Sequence, residues 1–161
     1  MKKYIKEIVS FVIILTILAN IISYYKSTDL NKDTLDFTSV KLLDDTLYDI
    51  AKQKPILIHF WATWCPICDV EASNIQKISN NFEVITIAVD STSTKEIKNY
   101  LEKHNLSFKV INDLDKQYAK KFNISVFPTT FIYDKHQNLI FSEVGYTSTI
   151  GLYLRMIWAS L

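Results

Sequence analysis

"HFWATWCPICDVEAS", residues 59–73, holds both cysteines of the chain, Cys65 and Cys68, with two residues between them. Such a pair is compatible with a staple, half of a metal site or a redox centre. The residues in front, "KPILIHFW" (54–61), form a compact apolar run that reads as a buried strand from Ile56 to Trp61. Those behind read as a helix starting at the cysteines. Pro66 suits a first helical turn, where its missing N–H would be unpaired anyway, and Val70, Ile75 and Ile78 carry the pattern to the Asn80-Asn81 break. Cys65 thereby falls at a helix N-terminus, where free backbone N–H groups and the positive end of the dipole favour a thiolate. A free thiol titrates near ~8.5, and such settings lower it to between ~3.5 and ~7.5. Cys65 is the expected attacking thiolate. Cys68, one turn on and more buried, is the expected resolving thiol.

Working outward, "DFTSVKLL" suits an edge strand and "DTLYDIAKQ" a short helical turn. "FEVITIAVD" is a second buried strand, rich in β-branched residues. "STSTKEIKNYLEKHN" reads as an amphipathic helix behind a Ser/Thr cap. "LSFKVIND" follows as a short strand, "LDKQYAKKFNI" as a helix, and "SVFPTTFIYD" as a strand interrupted by Pro128. "NLIFSEVGY" pairs with that strand in a hairpin turning at Lys135 to Gln137, and "TSTIGLYLRMIWASL" closes as a helix capped at Thr147/Ser148. The order β-α-β-α-β-α-β-β-α indicates an α/β sheet with helices on its faces, its strand-helix-strand units parallel and its final hairpin antiparallel. With only two glycines in 161 residues, Asn, Asp and Ser must make most of the turns. The length is about one domain's worth.

The first 25 residues read as a membrane-directing segment. Lys2, Lys3 and Lys6 precede an uncharged run from Ile8 to Tyr25. At ~1.5 Å rise the run spans roughly 27 Å, close to the ~30 Å hydrocarbon core. Tyr4, Tyr24 and Tyr25 sit where interfacial aromatics belong, and the lysines favour a cytoplasmic N-terminus with the rest of the chain exported. A cleaved signal is an alternative, although its best site, Ile17-Leu18-Ala19, is poor. A soluble core helix is another, although Ser10, Thr16 and Asn20 do not make a polar face. No cysteine lies nearby for lipid attachment. The expected organisation is an anchor over 1–25, a polar tether over 26–36 and a globular domain over 37–161. Export matters for the cysteines: in an oxidising compartment a pair usually means a structural disulfide, yet a four-residue loop is worth only ~2 kcal/mol of chain entropy. Chemistry is the better use. The net charge of +1 shows no footprint of a nucleic-acid binder.

"FWATWCPIC" followed by "VFPTTFIYD" resembles the thioredoxin superfamily, and more closely its membrane-anchored, extracytoplasmic TlpA/ResA/DsbE-like branch, including ScsD-like proteins, over roughly residues 37–161. The resemblance implies a thioredoxin-like α/β fold with a central mixed sheet. It implies a redox-active disulfide between the nucleophile Cys65 and the resolving Cys68, with no added cofactor or metal. Pro128 would be the cis-proline opposite that disulfide, presenting backbone to the substrate, rather than an edge-strand proline. Pro66 and Phe127 would be part of the substrate-binding surface. Trp64, just before the nucleophile, either offers flat apolar surface to partner proteins or packs partly buried. Glu71 matches the acidic residue that often follows the motif. It either takes a proton from Cys68 or sits exposed in the first turn, favouring the helix dipole. His59 stands where thioredoxins proper carry a buried aspartate, as a proton shuttle or a satisfied core residue. Trp61 reads as core, and His104 and His136 as surface.

The pattern also departs from the family. Pro66-Ile67 replaces the usual dipeptide, Phe127 is bulkier than the residue common before the proline, Val126 stands where glycine is frequent, and Ala72 replaces a proline. The implied activity is thiol–disulfide exchange on exported proteins at the outer face of the cytoplasmic membrane. By analogy it runs in the reducing direction, as in cytochrome c maturation, with electrons from a DsbD- or CcdA-type membrane donor. An oxidase of the same fold and a copper-binding carrier using the same two thiolates are the alternatives.

Overall fold

All six residues from Ile56 to Trp61 are buried, and the strand they form is the middle of the main sheet. A strand flanked on both sides and covered on both faces has no solvent-facing register, which is why it reads as a continuous apolar run rather than an alternating one. The computed structural model describes residues 2–51, 53–91 and 93–161. Met1, Lys52 and Thr92 lie outside the described residues, as do the side chains of Lys2, Lys3 and Ala19. The expected orienting lysines and the candidate cleavage site are therefore only partly covered.

The elements run α1 (Lys2–Ser27), β1 (Ser39–Lys41), β2 (Leu47–Asp49), β3 (Ile56–Trp61), α2 (Pro66–Ser79), β4 (Glu83–Val89), α3 (Thr94–Lys103), β5 (Lys109–Asp113), α4 (Gln117–Lys121), β6 (Thr129–Tyr133), β7 (Leu139–Val144) and α5 (Thr149–Ser160). The main sheet has the order β5-β4-β3-β6-β7. β3, β4 and β5 are mutually parallel, whereas β6 is antiparallel to both β3 and β7. One face packs Leu57, Val84 and Ile132 against Ile75 and Ile78 of α2, Ile97 of α3 and Met156 of α5. The other packs Ile58, Phe60, Ile85 and Phe131 against Phe122, Val40 and Leu35. Phe131 centres an aromatic cluster there, with ring centroids 5.9 Å from Phe60 and 5.1 Å from Phe122.

Three expectations need correction. The stretch expected to form a helical turn contains β2, which pairs with β1 in a separate hairpin: Val40 lies opposite Tyr48. An Asx turn makes the reversal, with the Thr46 N–H donating to Asp44 Oδ1 and Asp45 taking the left-handed conformation at φ 67°. The unit β5-α4-β6 is not parallel. A parallel return would carry the chain back along the whole sheet. Instead the chain crosses the end of the sheet past β4 and β3 and runs back from that same end. The polar stretch expected as a tether is held against the domain: Leu30 and Leu35 are buried, and the Asn31 and Leu35 N–H groups donate to the carbonyls of Phe122 (3.2 Å) and Gln137 (3.1 Å).

The scarcity of glycine is met as the composition requires. Asp45, Asp90, Asn105 and Asn123 take positive φ, joined by Gln53, Lys116 and Gln137. Among the described residues, one helix, α1, is long and apolar enough over Tyr4–Ser27 to cross a membrane. The fully buried Phe131 gives a direct test of the core: Phe131→Ala is expected to cost about 3–5 kcal/mol in urea unfolding of the purified protein. A cost below about 1 kcal/mol would contradict this packing.

Candidate active site

The topology converges on one end of the sheet. β3 and β4 finish there, β6 begins there and β7 finishes there, since Thr129 lies opposite both Phe60 and Val144. This is the carboxyl edge of the parallel strands, where open α/β sheets place their chemistry. Cys65 follows β3 after three residues and is the N-cap of α2, with extended backbone (φ −88°, ψ 110°) and Pro66 in the first turn. Its Sγ accepts the Cys68 N–H at 3.2 Å, so the sulfur takes the place of the Ser or Asp oxygen that ordinarily caps a helix. Cys65 and Cys68 are joined as a disulfide, and both are buried, at 5% and 2% exposure.

The approach to this pair is apolar. Trp64 is 59% exposed and meets Phe127 edge-on, ring centroids 5.9 Å apart. Its indole N–H donates to the Asp90 carbonyl at the end of β4, 3.3 Å away. Phe127 is half-buried and Pro128 buried, and the peptide between them is cis. Pro66 and Ile67 are exposed. Thr63 donates its hydroxyl to a Glu96 carboxylate oxygen at the start of α3, which pins the loop between β3 and the cysteines.

Glu71 lies three residues beyond Cys68, on the same helix face. It is completely buried, so the exposed first-turn reading is corrected. Oε1 accepts the Thr147 N–H at 3.0 Å, while Oε2 has no hydrogen-bond partner. Burial pushes the carboxyl up to about 8, the Thr147 N–H opposing and the Glu143 carboxylate adding to the rise. Residues that the sequence did not single out hold this arrangement. Thr147 Oγ1 donates to Glu143 Oε2 at 3.2 Å, and Glu143 forms an ion pair with Arg155. Asn74 of α2 donates to the Thr147 carbonyl at 3.1 Å and accepts from the Thr149 hydroxyl at 2.7 Å. The only sequence signal for this network was the Thr147/Ser148 cap, which gave no reason to look toward α2.

His59 is buried in β3, its Nδ1 2.9 Å from Thr130 Oγ1 on β6. Burial drives the imidazole down to about 3, so it is neutral through the physiological range, as a satisfied core histidine would be. Trp61 is core and lies on Tyr100, centroids 4.8 Å apart. His136 is exposed, but His104 is only partly so. It stacks on Tyr100 at 4.4 Å, with Nε2 3.9 Å from Asp69 Oδ1. Among the described residues, no group of three or more His, Cys, Asp or Glu is placed to hold a metal ion.

These two buried groups set opposite slopes of stability with pH. Glu71 keeps its proton on folding, so its contribution is full below about 4.5 and is lost as pH rises through about 8. His59 stays neutral on folding, so its contribution is full above about 6.5 and is lost as pH falls through about 3. In urea unfolding across pH, Glu71→Gln is expected to flatten the alkaline limb and His59→Asn the acid limb. An alkaline limb unchanged in Glu71→Gln would show that the carboxyl is ionised in the folded protein.

Comparison with known proteins agrees with this geometry. The AhpC/TSA family matches residues 27–142. A thioredoxin-like protein of Haemophilus influenzae is 26% identical over 161 residues, covering 98% of this chain and 96% of that one. The thiol–disulfide oxidoreductase ResA of Bacillus cereus is 26% identical over 98 residues, 58% of this chain, and the match spans 57% of ResA's own length. The crystal structure of StoA from Bacillus subtilis superposes with a TM-score of 0.66 at 18% identity, over 80% of this chain and 98% of that one, which shows a shared thioredoxin-like fold. The chain belongs to the AhpC/TSA family, and its relatives include thioredoxin-like proteins and thiol–disulfide oxidoreductases.

Proposed function

We propose that this chain is a membrane-anchored oxidoreductase of the extracytoplasmic side, reducing disulfides of exported proteins through Cys65 and Cys68. The observation that carries the reading is the position of Cys65 as N-cap of α2, next to an exposed tryptophan. In the dithiol form, the Cys65 thiolate attacks one sulfur of a target disulfide. A mixed disulfide forms, and the other target sulfur leaves as a thiolate, which takes up a proton. Cys68 then loses its proton and attacks Cys65 Sγ, releasing the second target thiolate, which also takes up a proton. The target gains two electrons and two protons, and the enzyme is left with the disulfide present here.

Glu71 is the base for the second step. The pKa of this buried carboxyl with one free oxygen, raised to about 8, lies close to a thiol's, so its ionised fraction, which grows as pH nears 8, accepts the Cys68 proton and returns it in the next cycle. Trp64, Pro66, Phe127 and Pro128 form the surface that meets the target. α1 holds the enzyme in the cytoplasmic membrane, its apolar side chains exposed along the helix as a lipid-facing span requires. A membrane dithiol donor of the DsbD or CcdA type renews the reduced state, and apocytochrome c is a target class that suits the ResA likeness.

The full-length protein in detergent is expected to catalyse insulin reduction by dithiothreitol. Cys65→Ser should abolish turnover, Cys68→Ser should accumulate a mixed disulfide, and Glu71→Gln should slow resolution by about a hundredfold. A reductase should show a reduction potential near about −270 mV, whereas a value near about −120 mV marks an oxidase. Turnover that survives Cys65→Ser would end this reading.

A further inference from the structure

α1 ends beside the redox loop. Its Ser23 Oγ accepts the Val144 N–H at 3.0 Å, at the end of β7 nearest the cysteines. Ser27 is buried, and Leu30 and the Asn31 N–H continue the attachment. The last two turns of α1 are thus fixed to the domain at several points, where a swinging anchor would have none.

A groove of about 400 Å³ lies between them. One wall is α1, through Ile22 and Lys26. The other is Ile67 of the Cys-Pro-Ile-Cys turn, Phe127 before the cis-proline, and Tyr146 beyond β7, with Glu143 also lining it. Gly145 lines the groove too, in a left-handed conformation (φ 98°) where an added Cβ would meet nothing within 4 Å, so a neighbouring backbone has room to approach. Volume and apolar lining fall in the range of built binding clefts.

Thiol–disulfide exchange dictates what occupies it. For a target sulfur to reach Cys65, the residues flanking that sulfur must lie over the adjoining surface, and on the β7 side that surface is this groove. Its depth relative to the bilayer follows from α1. The uncharged run that spans the hydrocarbon ends at Tyr25, so the groove, walled by Ile22 and Lys26, stands where α1 meets the headgroups. We infer that the C-terminal turns of α1 are a wall of the substrate groove, and that the favoured substrate is a cysteine-bearing segment of polypeptide lying at the bilayer surface, its extended chain seated between α1 and the redox loop. This rests on the reading of Cys65 as the attacking thiolate and of α1 as the anchor.

The test uses the full chain in phosphatidylcholine nanodiscs. The probe is a short peptide whose single cysteine is a mixed disulfide with glutathione, tethered to the bilayer by an acyl chain. Hydroxyethyl disulfide, too small to fill the groove, is the comparison. Ile22 is 56% exposed, so Ile22→Trp narrows the groove without touching the core. It should lower kcat/KM for the tethered peptide relative to hydroxyethyl disulfide by about tenfold, through KM. Ile21→Trp, on the adjacent residue outside the groove, should leave that ratio unchanged. The inference is overturned by an equal ratio in Ile22→Trp and the unaltered chain. It is also overturned if a photoactivatable phosphatidylcholine, rather than the peptide, crosslinks to the groove. Failure of the unaltered chain to react with hydroxyethyl disulfide would instead contradict the redox reading itself, which keeps the two failures apart.

Discussion

The hydrogen bond from the Cys68 N–H to Cys65 Sγ, 3.2 Å long, ties the chemistry of this protein to its fold. A helix start leaves N–H groups without intrahelical partners, and here a sulfur answers one of them. Pro66 follows immediately in the first turn and brings no N–H of its own. The sulfur proposed to react as a thiolate thus lies at the positive end of the α2 dipole. β3 makes this possible: paired on both sides and buried throughout, it delivers the chain to the edge of the sheet in a fixed direction.

The rest of the site is assembled by topology. β6 enters from the edge at which β3 leaves, so Phe127 and Pro128 arrive beside the cysteines although they lie some sixty residues away in sequence. β7 returns to the same edge and hands over to Thr147, whose N–H reaches Glu71 from above while α2 holds it from below. The burial of that carboxylate is costly when it is ionised, and only one of its oxygens is compensated. That unpartnered oxygen is the observation behind the proton-carrying role proposed for Glu71.

Much of this was legible in sequence, for physical reasons that differ from element to element. β3, β4 and α2 were readable because burial on both faces, or on one helical face, leaves a strong apolar pattern. β2 was not: Leu47 and Ile50 stand at helical spacing, and the deciding signal was the Asp44-Asp45 turn chemistry. The direction of β6 was hidden because parallel and antiparallel strands share a residue pattern, and only the length and path of the connection separate them. The docking of residues 26–36 rests on two leucines and on backbone hydrogen bonds, which leave no composition signal. Cys65, Cys68 and the cis-proline were marked by motif. The burial of Glu71 was open, because its cover comes from a loop more than seventy residues away.

The claim that underlies this account is that the first turn of α2 holds Cys65 ionised. The direct measurement is the pH dependence of iodoacetamide alkylation of Cys65 in the reduced, full-length protein. The account predicts a midpoint below about 7.5, and a midpoint at about 8.5, that of an unperturbed thiol, would contradict it.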